Sequence, residues 1–365
     1  VEGREITGSI EGAPHSPQDP VTTPVLHVPA DGALPPRRVE LLADGATGLA
    51  AYLREVEYCR ILWWPQAGVD KMVLWEGHRT NEVPSPPIPY GADRPLAQWF
   101  AGRFLTLWGL AHGNGVLRAI GRWALPLFPH VVRFFLPNPP KRFHDRWDRN
   151  LPMDTHVDDF FLPTEFTELW FPIEHTAEVM RRLFELYRDP DVAGTYACEL
   201  YATRRTESWL SPAYGQDVFR VDVFWFRGNR GDPVLDYFPK FWDALGELEF
   251  RAHWGKYLPP PGSKAGQSVG RRYPRWEDFL TLREECDPGE VFLTRYWRCH
   301  LELDVGAPAQ RRGGVTTTSV PATAAAAPGA PDPTAALPTL PDAAASAVMT
   351  PDATARELEP STPRR

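Results

Sequence analysis

The run ELWFPIEHTAEVMRRLFELY, residues 168–187, decides the fold. Residues 168–173 have the short, apolar and aromatic character of a strand; 175–187 then switch to helical spacing, with Val179, Leu183, Phe184 and Leu186 apolar. Further on, 196–203 and 218–226 read as two more strands and 233–248 as another helix. The order is β-α-β-β.

The same order stands upstream. Residues 39–42 read as a strand and 48–57 as a helix with Leu49, Tyr52, Leu53 and Val56 on one face. Strands at 59–65 and 71–75 follow, joined by Gln66-Ala67-Gly68-Val69-Asp70. The repetition predicts an α+β fold over 37–303, in which duplicated β-α-β-β units form a mostly antiparallel sheet with helices on one face.

Three segments break this pattern. An insert at about 80–154 begins as Pro-rich linker and continues as the apolar run 99–136, interrupted by Arg103, Arg118, Arg122 and Arg133 and by Pro126 and Pro129. Those interruptions argue against a bilayer-spanning helix. Two readings remain: amphipathic helices packed on the protein, or helices lying on a membrane surface as a peripheral contact. Residues 1–36 are Pro-rich and weakly patterned, which predicts a linker or the remnant of an upstream domain. Residues 304–365, rich in Pro, Ala and Thr, cannot bury enough apolar surface to offset chain entropy and predict a disordered tail.

With 365 residues, 43% of them hydrophobic, the chain can bury a substantial core. A formal charge of −8, with no dominant Lys/Arg block, argues against a nucleic-acid partner. Cys59, Cys198, Cys286 and Cys299 lie far apart, so neither a disulfide framework nor a metal site is expected, and a reducing, cytoplasmic setting fits best, with membrane association as the alternative. Residues 1–10 carry charge throughout and lack the apolar core of a signal peptide. With no initiating Met, Val1 reads as an internal start, of a processed product or a fragment.

Motifs for nucleophilic, phosphate-binding and zinc chemistry are absent: no GxSxG, P-loop, GxGxxG or HExxH. Gly12-Ala13-Pro14-His15-Ser16 has the Gly-x-x-His-Ser form of flavin-attaching loops but lacks the flanking strands and glycines of a flavin cradle. Within 197–203, strand alternation puts Glu199, Tyr201 and Thr203 on one face, where a buried carboxylate could orient or deprotonate a hydroxyl. The loop Trp209-Leu210-Ser211-Pro212-Ala213-Tyr214-Gly215 is either a rigid strand connection or a substrate contact. Arg251-Ala252-His253-Trp254-Gly255-Lys256 brings an imidazole, an indole and an ammonium together, with Gly255 permitting a turn that aims His253 and Lys256 into one cavity. The alternative there is a surface turn whose Trp254 plugs a core edge.

Glu199, the loop 210–215, His253-Trp254-Gly255-Lys256 and the closing Asp287-Pro288-Gly289-Glu290-Val291-Phe292-Leu293-Thr294-Arg295-Tyr296 together resemble the FAD-linked sugar-lactone and alditol oxidases, the D-arabinono-1,4-lactone oxidases in particular. The resemblance covers 39–303 apart from the insert. It implies the C-terminal substrate cap of a vanillyl-alcohol-oxidase type flavoenzyme, whose FAD-binding domain is missing from this chain. In such enzymes a CH–OH donor is oxidised by FAD with oxygen as final acceptor.

The same resemblance implies Lys256, His253 and Glu199 as catalytic residues, Tyr201, Ser211, Tyr214 and Trp254 as contacts of a small alcohol or sugar-lactone substrate, and Lys256 and Tyr296 as cofactor contacts. One position departs from the family: its Glu-x-Arg is here Glu199-Leu200-Tyr201, with Arg204 and Arg205 as the nearby replacement cations. Two alternatives therefore stay open. One is a flavin-dependent reductase or dehydrogenase on an apolar or sterol-like substrate; the other is a catalytically silent binding or membrane-peripheral module.

Overall fold

The computed structural model describes residues 1–14, 23–30, 35–66, 68–82, 85–90, 95–110, 115–116, 119, 127–136, 141–150, 163–189, 195–227, 231–267 and 269–303. The expected disordered tail, and His15 and Ser16 of the flavin-loop pattern, lie outside them. In chain order the strands are β1 (Glu2–Glu11), β2 (Val25–Val28), β3 (Arg37–Glu40), β4 (Tyr58–Trp64), β5 (Lys71–His78), β6 (Lys141–His144), β7 (Thr164–Pro172), β8 (Thr195–Thr203), β9 (Val218–Phe226) and β10 (Arg251–Ala252). The α-helices longer than a single turn are α1 (Leu49–Glu55), α2 (Pro95–Leu110), α3 (Phe128–Phe135), α4 (Thr176–Tyr187), α5 (Phe238–Leu245), α6 (Trp276–Cys286) and α7 (Arg295–His300).

The strands form one antiparallel sheet in the order β10-β7-β9-β8-β4-β5-β1-β2-β3, with β6 also pairing β1. Its two β-α-β-β units, β3-α1-β4-β5 and β7-α4-β8-β9, meet where β4 pairs with β8. Alternation decides what each strand buries. Ile61 and Trp63 of β4, Cys198 and Leu200 of β8, Val221 and Val223 of β9 and Leu169 and Phe171 of β7 point to one side, where α1, α4 and α5 cover them in the main core. Leu49 and Leu53 of α1, Val179 and Leu183 of α4 and Phe241 and Trp242 of α5 supply the helical half. On α4, 176, 179, 180, 183 and 184 are buried at helical spacing, as the opening stretch predicts.

The N-terminal segment corrects the linker reading of 1–36. Glu2–Glu11 is a ten-residue strand inside the sheet, hydrogen-bonded to β5 over eight residue pairs, and β2 extends it. In the second unit β7 pairs directly with β9; in the first, β1 occupies the place beside β5 and moves β3 to the sheet edge. The strand was hidden because its interior carries charge. Arg4 and Glu5 are buried, Arg4 donating to Glu76 at 2.9 Å and Glu5 accepting from Trp75 Nε1 at 2.9 Å. Gly3 is required there, since a Cβ would stand 2.2 Å from the Glu76 carbonyl oxygen and 2.4 Å from the Phe143 ring.

The insert packs against the other side of the sheet. Leu105 of α2 and Phe128 and Val132 of α3 close over Val69, Ala197, Phe224 and Phe226, with the rings of Phe104 and Phe128 stacked at 5.9 Å. Among the described residues no helix is long and apolar enough to cross a membrane.

Candidate active site

The side of the sheet opposite α1, α4 and α5 carries two parallel cross-strand rows. Register pairs Trp75 with Arg60, Arg60 with Tyr201, Tyr201 with Arg220, and Arg220 with Trp170. Directly opposed residues share a face, so rings and guanidinium groups alternate over five strands. The Arg60 guanidinium carbon lies 5.7 Å from the Trp75 ring centroid and 5.8 Å from that of Tyr201. That of Arg220 lies 4.7 Å from Tyr201 and 4.1 Å from Trp170. These are cation–π distances.

Two residues along the strands runs a row of carboxylates: Glu199, Asp222 and Glu168, again direct register partners. All three are buried. Arg60 holds Glu199, its Nε donating to Oε1 at 2.8 Å. Arg220 holds Glu168, Nε to Oε1 at 2.7 Å, and Lys256 Nζ lies 2.8 Å from Glu168 Oε2 while also donating to Asp222. Opposed carboxylates repel, and the cations make the row tolerable.

The segment 251–257 delivers Lys256 by running along the edge of β7. His253 N donates to the Glu168 carbonyl at 3.0 Å and Tyr257 N to the Phe166 carbonyl at 3.0 Å. Between these anchors Lys256 N closes a turn onto the His253 carbonyl at 3.1 Å. The Lys256 side chain therefore crosses β7 to reach the carboxylates. Thr167 stiffens the arrangement, donating to the Tyr257 carbonyl at 2.8 Å while accepting from Trp242 Nε1 at 3.0 Å.

The charges are unequally tuned. Burial raises the Glu168 carboxyl, but Lys256 and Arg220 outweigh it and hold the group below the usual carboxylate range. Burial pushes Asp222 well above that range against the pull of Lys256, and the charges of Glu168 and Glu199 add to the push. Burial alone would lower the Lys256 ammonium; Asp222 and Glu168 reverse this and raise it. The face thus holds a fixed carboxylate, a fixed ammonium and, at Asp222, a carboxyl that favours its proton. Burial, aided by Lys256 and Arg220, keeps His253 below the ordinary imidazole value. Its Nδ1 accepts from Gly255 N at 3.1 Å, which leaves Nε2–H of the neutral ring as a donor.

Of the residues singled out in the sequence, Glu199, Tyr201, His253 and Lys256 come together on this face. Ser211, Tyr214 and Trp254 gather elsewhere. Arg251 Nη1 donates to the carbonyls of Pro212 at 3.0 Å and Tyr214 at 2.8 Å, and Trp254 Nε1 to that of Leu210 at 3.1 Å. Ser211 Oγ accepts from Ala213 N at 3.2 Å. These bonds tie loop 210–215 to β10, and Trp254 lines an apolar groove of about 460 Å³ with Trp297, Phe279 and Phe292. Tyr296, on α7, packs against His300, the ring centroids 4.1 Å apart and the planes tilted by 36°. Arg204 and Arg205, expected as replacement cations from the strand end, are exposed just past the end of β8. Arg60 grips Glu199 instead, and Arg220 faces Tyr201. The sequence reading missed Arg60, Glu168, Arg220 and Asp222, whose signal is a charge inside an otherwise apolar strand.

A family model described as D-arabinono-1,4-lactone oxidase matches residues 39–300. The chain belongs to the D-arabinono-1,4-lactone oxidase family. This is the family of FAD-linked sugar-lactone and alditol oxidases. The chain is 27% identical over 267 residues to L-gulonolactone oxidase of Bos taurus, covering 70% of this chain and 54% of the relative. It is 26% identical over 274 residues to that of Scyliorhinus torazame, covering 72% and 54%. An alditol oxidase of Streptomyces sp. is 27% identical over 156 residues, 42% of this chain and 35% of the relative. The chain spans about half the length of the L-gulonolactone oxidases it matches. Among solved structures, a solvent-stable cholesterol oxidase aligns with a TM-score of 0.50 and 13% identity over 83% of this chain and 60% of that one, a likeness of fold alone.

Proposed function

We propose that this member of the D-arabinono-1,4-lactone oxidase family is the substrate cap of an FAD-dependent oxidoreductase that oxidises a CH–OH donor, a sugar lactone or alditol, with oxygen as acceptor. A flavin-binding half outside this chain completes the enzyme. The observation that carries the reading is Lys256, an ammonium fixed by Glu168 and Asp222 on a polar sheet face beside Glu199.

The residues present fit a bound polar ring. Trp170 Nε1 and Asp222 Oδ1 are buried without a hydrogen-bond partner among the described residues, and a ligand would satisfy them. FAD, when bound, supplies the hydride acceptor and the route to oxygen. Lys256 faces the cofactor and binds the donor oxygen, stabilising negative charge as it develops there. Glu199 takes the hydroxyl proton, Asp222, which keeps its own proton, offers it from Oδ1 to a substrate oxygen, Glu168 keeps Lys256 charged, and His253 donates a hydrogen bond from Nε2. Glu199, oriented by Arg60, accepts from further substrate hydroxyls, and Tyr201 offers them a ring to lie against. Tyr296 is the second residue proposed toward the cofactor.

The test joins the chain to its flavin-binding half and follows anaerobic bleaching of the flavin by alditols and aldonolactones. Bleaching is expected, and Lys256→Met should slow it by about 100-fold, the scale for losing one preorganised charge-stabilising group. An unchanged rate in Lys256→Met removes the assignment.

A further inference from the structure

The insert carries chemistry that the sheet face does not use. On α2, Leu105 turns inward while Leu96, Trp99, Phe100 and Leu107 recur at spacings of three, four and seven on the opposite side. Their exposures are 76, 39, 60 and 49%. Arg103 lies in the same stripe, its guanidinium carbon 5.5 Å from the Trp99 ring centroid. A helix on a water-facing surface places polar residues along that line; α2 places aromatic and aliphatic ones.

The charge of the insert is as one-sided as its exposed stripe. Between residues 95 and 144 the sequence has no Asp or Glu and six cations, Arg103, Arg118, Arg122, Arg133, Lys141 and Arg142, in a chain whose net charge is −8. A second copy of the chain is a poor occupant, because a two-fold contact would set these cations against each other. An anionic lipid surface complements both halves of the pattern. Its acyl boundary takes Leu96, Trp99, Phe100 and Leu107, while its headgroup phosphates take Arg103, the guanidinium within the same stripe.

We propose that α2 is a peripheral attachment site for an anionic membrane surface, lying in the plane of the headgroups with the Leu96–Trp99–Phe100–Leu107 stripe inserted. The attachment stands apart from the redox chemistry, since among the described residues none of these four contacts Glu168, Asp222, Glu199 or Lys256.

Co-sedimentation of the purified chain with vesicles tests it. Vesicles of phosphatidylcholine with phosphatidylglycerol should carry the protein down, vesicles of phosphatidylcholine alone should do so at least about tenfold less, and added salt should release it. The double variant Trp99→Glu, Phe100→Glu should weaken binding by more than about tenfold. Leu96→Glu alone should weaken it by less, and both should melt as the parent does. Absence of binding to the anionic vesicles, or equal binding by the double variant, overturns the proposal. Loss of binding once the flavin-binding half is attached also overturns it, and assigns the stripe to that half. A concentration-dependent dimer that the double variant abolishes, and that does not bind vesicles, overturns it in favour of a second copy.

Discussion

Tyr201 and Arg220 face each other across β8 and β9, the guanidinium carbon 4.7 Å from the phenol ring centroid. Trp170 lies on the other side of that guanidinium at 4.1 Å, and Glu168 accepts from its Nε at 2.7 Å. The resemblance to the family leads one to expect a cation two residues after Glu199; here Arg220 stands on the neighbouring strand, directly opposite that position. The position itself holds a phenol.

Arg220→Leu removes the stacked cation and leaves Glu168, which is buried, to Lys256 alone. Breaking a fully buried pair costs about 3–5 kcal/mol; Arg220 is partly exposed, so a loss of about 2 kcal/mol in urea unfolding is expected. Arg220→Lys should recover part of the charge contribution but not the stacking between two rings, and fall between the two.

Asp222 gives stability a definite pH slope. Its carboxyl is raised by burial in the folded chain, so the unfolded chain loses this proton first as pH rises. Between the ordinary carboxylate value and the raised one, the folded state binds more protons and stability falls with pH. The limiting slope for one proton is about 1.4 kcal/mol per pH unit. Urea unfolding at about pH 5 and about pH 8 should show the decline in the parent and a flatter dependence in Asp222→Asn. Equal slopes would mean that Asp222 is ionised throughout.

Thr167→Val keeps the shape of the side chain and deletes one hydroxyl that serves two partners. Trp242 Nε1 loses its acceptor and the Tyr257 carbonyl its donor, both inside the structure that positions Lys256. A loss of about 1–3 kcal/mol is expected from the groups left unmatched. In the flavin-linked enzyme the variant should also raise KM for the donor, since Lys256 is one residue from Tyr257.

The thiols should separate by reactivity. Cys198 is buried and its thiol is pushed up to about 12, chiefly by burial, whereas Cys286 is exposed at the groove beside Trp254. A disulfide reagent should therefore modify Cys286 rapidly in the native chain and reach Cys198 only on unfolding. Mass mapping of the labelled peptides distinguishes them, and early label at Cys198 would contradict its burial.

What the sequence revealed follows from how far each signal reaches. Alternation within 197–203 is local, and it puts Glu199, Tyr201 and Thr203 on one face, as the register has it. Helical spacing within 175–187 likewise finds the buried side of α4. The grip of Arg60 on Glu199 spans 139 residues, and that of Lys256 on Asp222 spans 34, distances over which a residue pattern carries no register. The first strand was unreadable for the same reason. Arg4 and Glu5 look like solvent-facing charges until Glu76 and Trp75 are seen beside them. Trp254 stands two residues before Lys256 in the sequence, yet the turn from His253 to Lys256 sends the indole to the apolar groove and the ammonium to the sheet face.

The seating of β1 beside β5 sets where the cap can be cut. The prolines before Arg37 invite a boundary there, yet severing the polypeptide at that point would take out an interior member of the sheet. The flank of β5 would then be bare over the eight positions that β1 now occupies, and β3 would lose β2, its strand partner among the described residues. Bare flanks recruit other molecules. A shortened product starting at Arg37 should consequently be recovered as aggregate, and supplying residues 1–36 as a separate peptide during refolding should restore soluble protein.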